Sequence, residues 1–182
     1  MLALVQHLIR GGRYGRARLT QLARLLARFE SQPSPRFAPH RVRAMAEEIT
    51  RLKLELGAAL AGVTSCSGCA KACVAPSGYF PGGRCCGTSA LEVFTPGEVR
   101  AIKLAGGAAP TAPADDGAEE AGCLFRGSTG CSLDTASRPA RCLVYVCLEL
   151  QQELEAEPHF GEVQSLRKRL QDTLAEFERA SC

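Results

Sequence analysis

Ten cysteines are the residues of this 182-residue chain whose type and spacing are best suited to chemistry. They fall into two groups and one terminal residue. The first group is Cys66, Cys69, Cys73, Cys85 and Cys86, the second is Cys123, Cys131, Cys142 and Cys147, and Cys182 stands alone. In a reducing compartment, clustering of this kind indicates metal or redox chemistry rather than structural disulfides.

Thiolates at these spacings predict a metal centre. Soft and borderline metals accept thiolate ligands at tetrahedral positions about 2.3 Å away. The segment Cys66-Ser-Gly-Cys69 offers two ligands from one tight turn, and Gly68 tolerates the dihedral angles of such a turn. The remaining ligands must come from distant parts of the chain, so all nine cysteines of the two groups are candidate ligands for one or two sites. Two four-ligand sites would leave one cysteine spare.

The donor type narrows the choice of metal. No histidine lies within either group, since the three histidines of the chain are His7, His40 and His159. An all-thiolate site favours four-cysteine zinc or a [2Fe–2S] or [4Fe–4S] cluster. Four arginines adjoin the cysteines and can offset the thiolate charge by donating hydrogen bonds to sulfur; these are Arg84, Arg126, Arg138 and Arg141.

Two other interpretations of the cysteines stay open. Buried cysteines can serve as small apolar residues, and cysteines of an exported protein can form a disulfide scaffold. The apolar run near the N-terminus is short, has no preceding positive charge and is followed at once by Arg10, which is not typical of a signal peptide. We therefore expect a cytoplasmic protein. Cys182 is interpreted as a bystander.

The elements around the cysteines are predicted to be helical. In the N-terminal part, apolar residues recur at helical spacing in two stretches separated by a proline-rich linker over 31–39. The stretches contain Leu19, Leu22, Leu26 and Phe29, and then Val42, Met45, Ile49, Leu52, Leu56 and Ala59. This pattern predicts an antiparallel helical hairpin within residues 1–62.

Further helices are expected along the rest of the chain. Thr95, Pro96 and Glu98 form a helix start in which Glu98 completes a capping box. Residues 106–122 are small and acidic and predict a mobile surface loop, residues 143–146 are the best candidate for a strand, and residues 148–157 predict a short helix. A C-terminal helix carries an apolar face of Val163, Leu166, Leu170, Leu174 and Phe177.

These elements predict three parts and a mainly α fold. The parts are a helical hairpin over 1–62, a cysteine-cluster metal-binding module over 63–147 and a C-terminal helix within 148–182. In this architecture, the hairpin and the C-terminal helix pack on an irregular cysteine-rich module. Apolar residues make up 46% of the chain, which suffices for a core of this kind.

Charge and hydropathy restrict the partners. No run approaches the ~18 apolar residues of a membrane span. The net charge of +3 is too small to indicate nucleic-acid binding, and the N-terminal basic run, including Arg18, Arg24 and Arg28, is interpreted as a solvated helix face. The apolar stripes predict contact with another protein through the helical flanks, and they leave an oligomer open.

The motifs of residues 66–147 resemble the YkgJ-type cysteine-cluster family, which is described as zinc- or iron-chelating. They are Cys85-Cys86, Phe94-Thr-Pro-Gly-Glu-Val99, Cys123-Leu-Phe, Gly130-Cys131-Ser-Leu and Arg138-Pro139-Ala-Arg-Cys142-Leu-Val-Tyr-Val-Cys147. The resemblance implies a small cytoplasmic metal-binding module and names no reaction. The chain departs from the family in the stretch 70–84, which separates the CxxC from the Cys85-Cys86 pair and adds Cys73.

Three hypotheses follow for function. The first is an iron–sulfur or zinc protein with a redox or cluster-carrying role. The second is a structural-zinc protein that presents amphipathic helices to a partner. The third is an accessory or catalytic component of a metal-dependent modification enzyme, for which the sequence names no acid, base or substrate pocket, so the question of enzymatic activity stays open.

Overall fold

The computed structural model describes residues 13–33, 35–63, 89–110, 123–127 and 130–181, and these residues are mainly helical. The helices are α1 (Arg13–Ser31), α2 (His40–Ala59), α3 (Ala90–Val93), α4 (Pro96–Leu104), α5 (Ala140–Val144), α6 (Leu148–Glu155) and α7 (Phe160–Ala180). Between α4 and α5 in the chain, β1 (Arg126–Gly127) and β2 (Gly130–Cys131) pair as a short antiparallel ribbon. The mainly α class is thus confirmed.

Helices α2 and α7 form the most extensive helix–helix contact among the described elements. Their apolar faces match the predicted stripes, because most of the predicted residues are buried and the others are partly buried against the same core. The buried ones are Val42, Ile49, Leu52 and Leu56 on α2 and Val163, Leu166, Leu170 and Phe177 on α7. We call this set, with the buried residues of α5 and α6 and Ala101 and Leu104 of α4, the first core cluster.

A second core cluster joins α1, α3 and α4 to the residues that follow Cys123. Its members are Leu22, Leu25, Phe29, Ala90, Val93, Phe94, Val99, Ile102, Leu124 and Phe125. The ring of Phe94 lies between two others, with centroid distances of 6.3 Å to Phe29 and 5.7 Å to Phe125. Tilted and edge-on ring contacts of this kind add to the free energy that burial alone contributes.

The first two long helices do not pair as the sequence suggests. Helix α1 packs mainly on α3 and α4, whereas α2 packs mainly on α7 and α4. The reason is α4, whose Val99 and Ile102 lie in the second cluster while its Ala101 and Leu104 lie in the first. Within the linker between α1 and α2, residues Pro35–Phe37 form one turn of 3-10 helix.

The prediction of a strand at residues 143–146 is wrong. Ala140–Val144 form helix α5, and Tyr145 then turns to an extended conformation. Pro139, with φ −58° and ψ 143°, is the cap residue that precedes this helix. Leu143 and Val144 are buried in the first cluster from this helix.

The predictions for the C-terminal helices, the acidic loop and a membrane span have separate outcomes. Helices α6 and α7 confirm the two helices predicted after residue 147. Most of the predicted loop at 106–122 lies outside the described residues. Among the helices that the structure describes, none has the length and hydrophobicity needed to cross a membrane.

Candidate functional site

Four of the nine predicted ligands lie in described parts of the chain. Cys123 precedes β1, Cys131 belongs to β2, Cys142 belongs to α5 and Cys147 caps the N-terminus of α6. The other five, Cys66, Cys69, Cys73, Cys85 and Cys86, lie outside the described residues, as does Cys182. Within the described ranges, the structure does not bring three or more histidine, cysteine or acidic side chains together as a metal-binding group.

Cys147 stands at the positive end of a helix dipole. Its Sγ atom accepts a hydrogen bond from the backbone N–H of Leu150, with a sulfur–nitrogen distance of 3.5 Å. Helix α6 begins at Leu148 and has eight residues, and the first N–H groups of a helix lack partners within the helix. An N–H donor and a helix N-terminus both favour negative charge on the capping atom. This environment suits a thiolate ligand.

Cys131 lies directly across the ribbon from Arg126. Residues paired in this way on antiparallel strands project from the same face, with Cβ atoms about 5 Å apart. The side chain of Arg126 is buried and that of Cys131 is half-buried. Arg126, one of the four arginines expected to support thiolates, therefore lies on the same face of the ribbon as Cys131.

Arg138 supports the second cysteine group in a different way. Its Nε atom donates to the Leu133 carbonyl at 3.0 Å, and its Nη2 atom donates to the Cys131 carbonyl at 3.3 Å. The guanidinium thus binds backbone carbonyls at and after β2. The sequence had predicted that it would donate hydrogen bonds to sulfur. Arg141 is exposed, and Arg84 lies outside the described residues.

A buried ion pair connects the helical core to the second cysteine group. Lys53 on α2 and Glu98 on α4 are 0% and 2% exposed, and Lys53 Nζ lies 3.1 Å from Glu98 Oε2. The other carboxylate oxygen, Oε1, accepts the backbone N–H of Ala140 at 2.5 Å. Because Ala140 is the first residue of α5, this carboxylate links α2, α4 and the helix that carries Cys142.

Burial and hydrogen bonding act on Glu98 in opposite directions. Removal from water raises the pKa of Glu98 above its ordinary value, and the Lys53 ammonium and the Ala140 N–H partly oppose this rise. The net direction is upward. An isolated buried charge is costly, so each of the two side chains requires the other as its counter-charge.

Glu98 is also where the predicted capping box differs from the structure. Thr95 caps α4 as expected, because its hydroxyl accepts the N–H of Glu98 at 3.2 Å. A capping box would return the glutamate side chain to the cap residue. Here the carboxylate bonds to Lys53 and Ala140 instead, which makes Glu98 a cross-link between elements.

Sequence reasoning did not single out Lys53, although a signal was present. Lys53 lies four residues after Ile49 and three before Leu56, so it shares their helix face. Glu98 stands likewise three residues before Ala101 on α4. Opposite charges on the apolar faces of two helices indicate a buried ion pair.

The basic face predicted for α1 is wrong at two positions. Arg18 is buried and donates to the Leu124 carbonyl at 2.7 Å, next to Cys123. Arg28 is half-buried and donates to the carbonyls of Leu91 and Phe94 at 2.8 and 2.5 Å. Arg18 and the buried residues Leu22 and Leu25 follow helical spacing, so it continues the buried face of α1. These arginines bind backbone carbonyls of neighbouring elements.

The described residues thus form a mainly helical protein in which hydrogen bonds from Arg18 and Glu98 join the helices to the backbone around the second cysteine group. Comparison with known proteins finds no matching family model, no matching curated protein and no matching solved structure. The resemblance to the YkgJ-type family therefore stays a prediction that rests on the motifs.

Proposed function

We propose that this chain binds an iron–sulfur cluster, with [4Fe–4S] the favoured type, or zinc, through thiolates of both cysteine groups, and that it has a redox or cluster-carrying role in the cytoplasm. The observation that carries the proposal is the concentration of nine cysteines between Cys66 and Cys147, with no histidine among them. When bound, an iron–sulfur cluster supplies one-electron transfer, and its potential responds to hydrogen bonds on the sulfurs.

The described residues fit such a centre in three respects. The N–H of Leu150 donates to the sulfur of Cys147, and Arg126 lies beside Cys131 on the ribbon. Donors and positive charge around sulfur are the surroundings that thiolate centres use to hold and tune a metal. Cys142 and Cys147 also lie on either side of the turn between α5 and α6, so the chain presents them from defined elements.

The segments that carry the family resemblance also meet in space. Glu98 belongs to Phe94-Thr-Pro-Gly-Glu-Val99, Ala140 belongs to Arg138-Pro139-Ala-Arg-Cys142, and their hydrogen bond joins the two segments. Arg138 joins the second of them to Gly130-Cys131-Ser-Leu through the Cys131 carbonyl. This mutual bonding supports treating the motifs as parts of one module.

The decisive experiment is purification without oxygen, followed by elemental analysis and a visible spectrum. We expect a brown protein with broad visible absorption and with iron and sulfide in matching amounts. A colourless protein that contains zinc would select the zinc form of the proposal. Material free of both metals, with the cysteines titrating as thiols or paired as cystines, would overturn it.

Matched variants test which sulfurs take part. We expect Cys131→Ser and Cys147→Ser to lower the metal content, whereas Cys182→Ser, at the bystander position, should retain it. All three changes replace sulfur by oxygen and are otherwise conservative. Loss of metal in Cys182→Ser with retention in the other two would contradict the proposed ligand set.

A second candidate function is a structural-zinc protein that presents its helices to a partner protein. It is favoured by the short elements around the second cysteine group, where β1 and β2 have two residues each and α5 has five. A two-stranded ribbon of this size is marginal by itself, and structural zinc contributes folding free energy directly. Chelation should then lower the melting temperature strongly, and an unchanged melting curve would exclude this candidate.

A further inference from the structure

We propose that Glu98 is a positioning residue for the metal centre, because its carboxylate fixes the first turn of α5 and thereby the orientation of Cys142. The inference rests on the proposed function and adds a residue that is not itself a ligand. Its basis is the bond from the Ala140 N–H to Glu98 Oε1 at 2.5 Å, in a place where Glu98 and Ala140 are both 2% exposed.

Helix α5 needs an external acceptor at its start. It has five residues, and its cap residue Pro139 supplies no side-chain hydrogen bond. The first N–H groups of a helix lack partners within the helix, and a buried N–H without an acceptor is costly. Glu98 supplies that acceptor for Ala140, and the N–H of Cys142 bonds to the Pro139 carbonyl at 2.9 Å within the same turn.

The second carboxylate oxygen fixes the direction of the first. Lys53 Nζ binds Glu98 Oε2, so the carboxylate is anchored to α2 on one side and to α5 on the other. Ala140 belongs to the first core cluster, and Lys53 is fully buried on α2, which contributes to the same cluster. The turn that carries Cys142 is therefore held relative to the rigid pair of long helices.

A charge-matched pair of double variants separates positioning from charge balance. Lys53→Met/Glu98→Gln removes both charges but keeps a carbonyl oxygen for the Ala140 N–H, whereas Lys53→Met/Glu98→Leu removes both charges and the acceptor. We call these double variants the Gln pair and the Leu pair, after the residue at position 98. We expect the Leu pair to bind zinc at least about ten-fold more weakly than the Gln pair in competition with a chelator, because loss of the groups that orient metal ligands typically lowers affinity by this factor.

A spectroscopic measurement isolates Cys142 from general instability. With cobalt in place of zinc, the Leu pair should lose part of the thiolate-to-cobalt absorption, whereas the Gln pair should retain the wild-type spectrum. Ile49→Val, which weakens the first core cluster without removing a hydrogen bond to Glu98, serves as the stability control and should retain it too.

If the Leu pair does not fold, Glu98→Asp replaces it, because the shorter side chain keeps the charge but cannot reach Lys53 and Ala140 together. Weaker zinc binding and a changed cobalt spectrum in Glu98→Asp would then support the inference. Equal affinity and equal spectra in both double variants, or in Glu98→Asp and wild type, would overturn the inference and leave the proposed function intact. A wild-type protein that binds neither iron nor zinc would overturn both.

Discussion

The α2–α7 pair and the segment from Cys123 to Cys147 are held in place by different kinds of contact. Along α2 and α7, buried apolar residues such as Ile49 and Leu170 repeat along the helices. The ion pairs described between the two helices, Arg41–Glu176 and Glu48–Arg169, lie in solvent. In the segment 123–147, backbone groups of short elements are bound by side chains, two of them from helices outside the segment and one from within it. Arg18, Arg138 and Glu98 bind Leu124, Cys131 and Ala140 respectively.

This difference teaches where single substitutions should matter. In the helix pair, the free energy of burial is spread over many residues, and an exposed ion pair adds little to it. In the cysteine segment, single side chains satisfy particular backbone groups, and the loss of one side chain leaves its groups without that partner. Replacing polar and charged side chains one at a time in the two regions tests this contrast.

The largest effect is expected from Lys53→Met, which leaves the Glu98 carboxylate buried without its counter-charge. Breaking a buried pair in this way costs about 3–5 kcal/mol of unfolding free energy. Without the ammonium, the pKa of Glu98 rises further, so protonation relieves part of the cost at low pH. Urea unfolding at pH 7 and pH 5 should therefore show a larger loss at pH 7.

The control is the double variant Lys53→Met/Glu98→Gln. It removes both charges, and we expect it to be more stable at pH 7 than either single variant, because no unpaired charge remains in the core. Additive losses in the double variant would mean that the pair is not coupled, which would contradict the distance of 3.1 Å between Lys53 Nζ and Glu98 Oε2.

The same contrast explains what the sequence could reveal. Helical periodicity gives the buried faces of α2 and α7, and the Thr95 cap is a local signal, so these could be predicted. A stripe states which face is buried but not which helix covers it, and so the partner of α1 was missed. The hydrogen bond between Glu98 and Ala140 joins residues 42 positions apart, and no local pattern encodes such a contact. The spacing of the cysteines likewise names ligand types without stating which sulfurs approach one another.

A smaller effect is expected from Arg138→Met. It removes the donors to the carbonyls of Leu133 and Cys131, and hydrogen bonds from a charged group contribute about 1.5–3 kcal/mol. Hydrogen exchange should accelerate in residues 130–138 before it does so in α2 and α7. The matched control is Arg141→Met at an exposed position, which should leave exchange unchanged. Equal effects of the two variants would contradict the role of Arg138.

Next in size is the pH dependence that Glu98 contributes. Its pKa is raised in the folded protein from an ordinary value of 4.5, so the folded state holds the proton more tightly than the unfolded state. The stability that this contributes is fully present below pH 4.5 and is lost as pH rises through the folded pKa. The unfolding free energy of wild type minus that of Glu98→Gln should therefore decrease between pH 4.5 and neutrality. An increase would mean that the Lys53 ammonium outweighs burial.

The smallest effect is expected from Arg41→Ala, which removes the surface counterpart of the buried pair. Arg41 Nη2 lies 2.9 Å from Glu176 Oε1, a shorter distance than in the Lys53–Glu98 pair, but the side chains are 77% and 52% exposed. Water and salt screen such a pair, so the unfolding free energy should change by less than about 1 kcal/mol, and added salt should reduce that change. If Arg41→Ala instead matched Lys53→Met in urea unfolding, distance rather than burial would decide what an ion pair contributes here, and the contrast between the two regions would not hold.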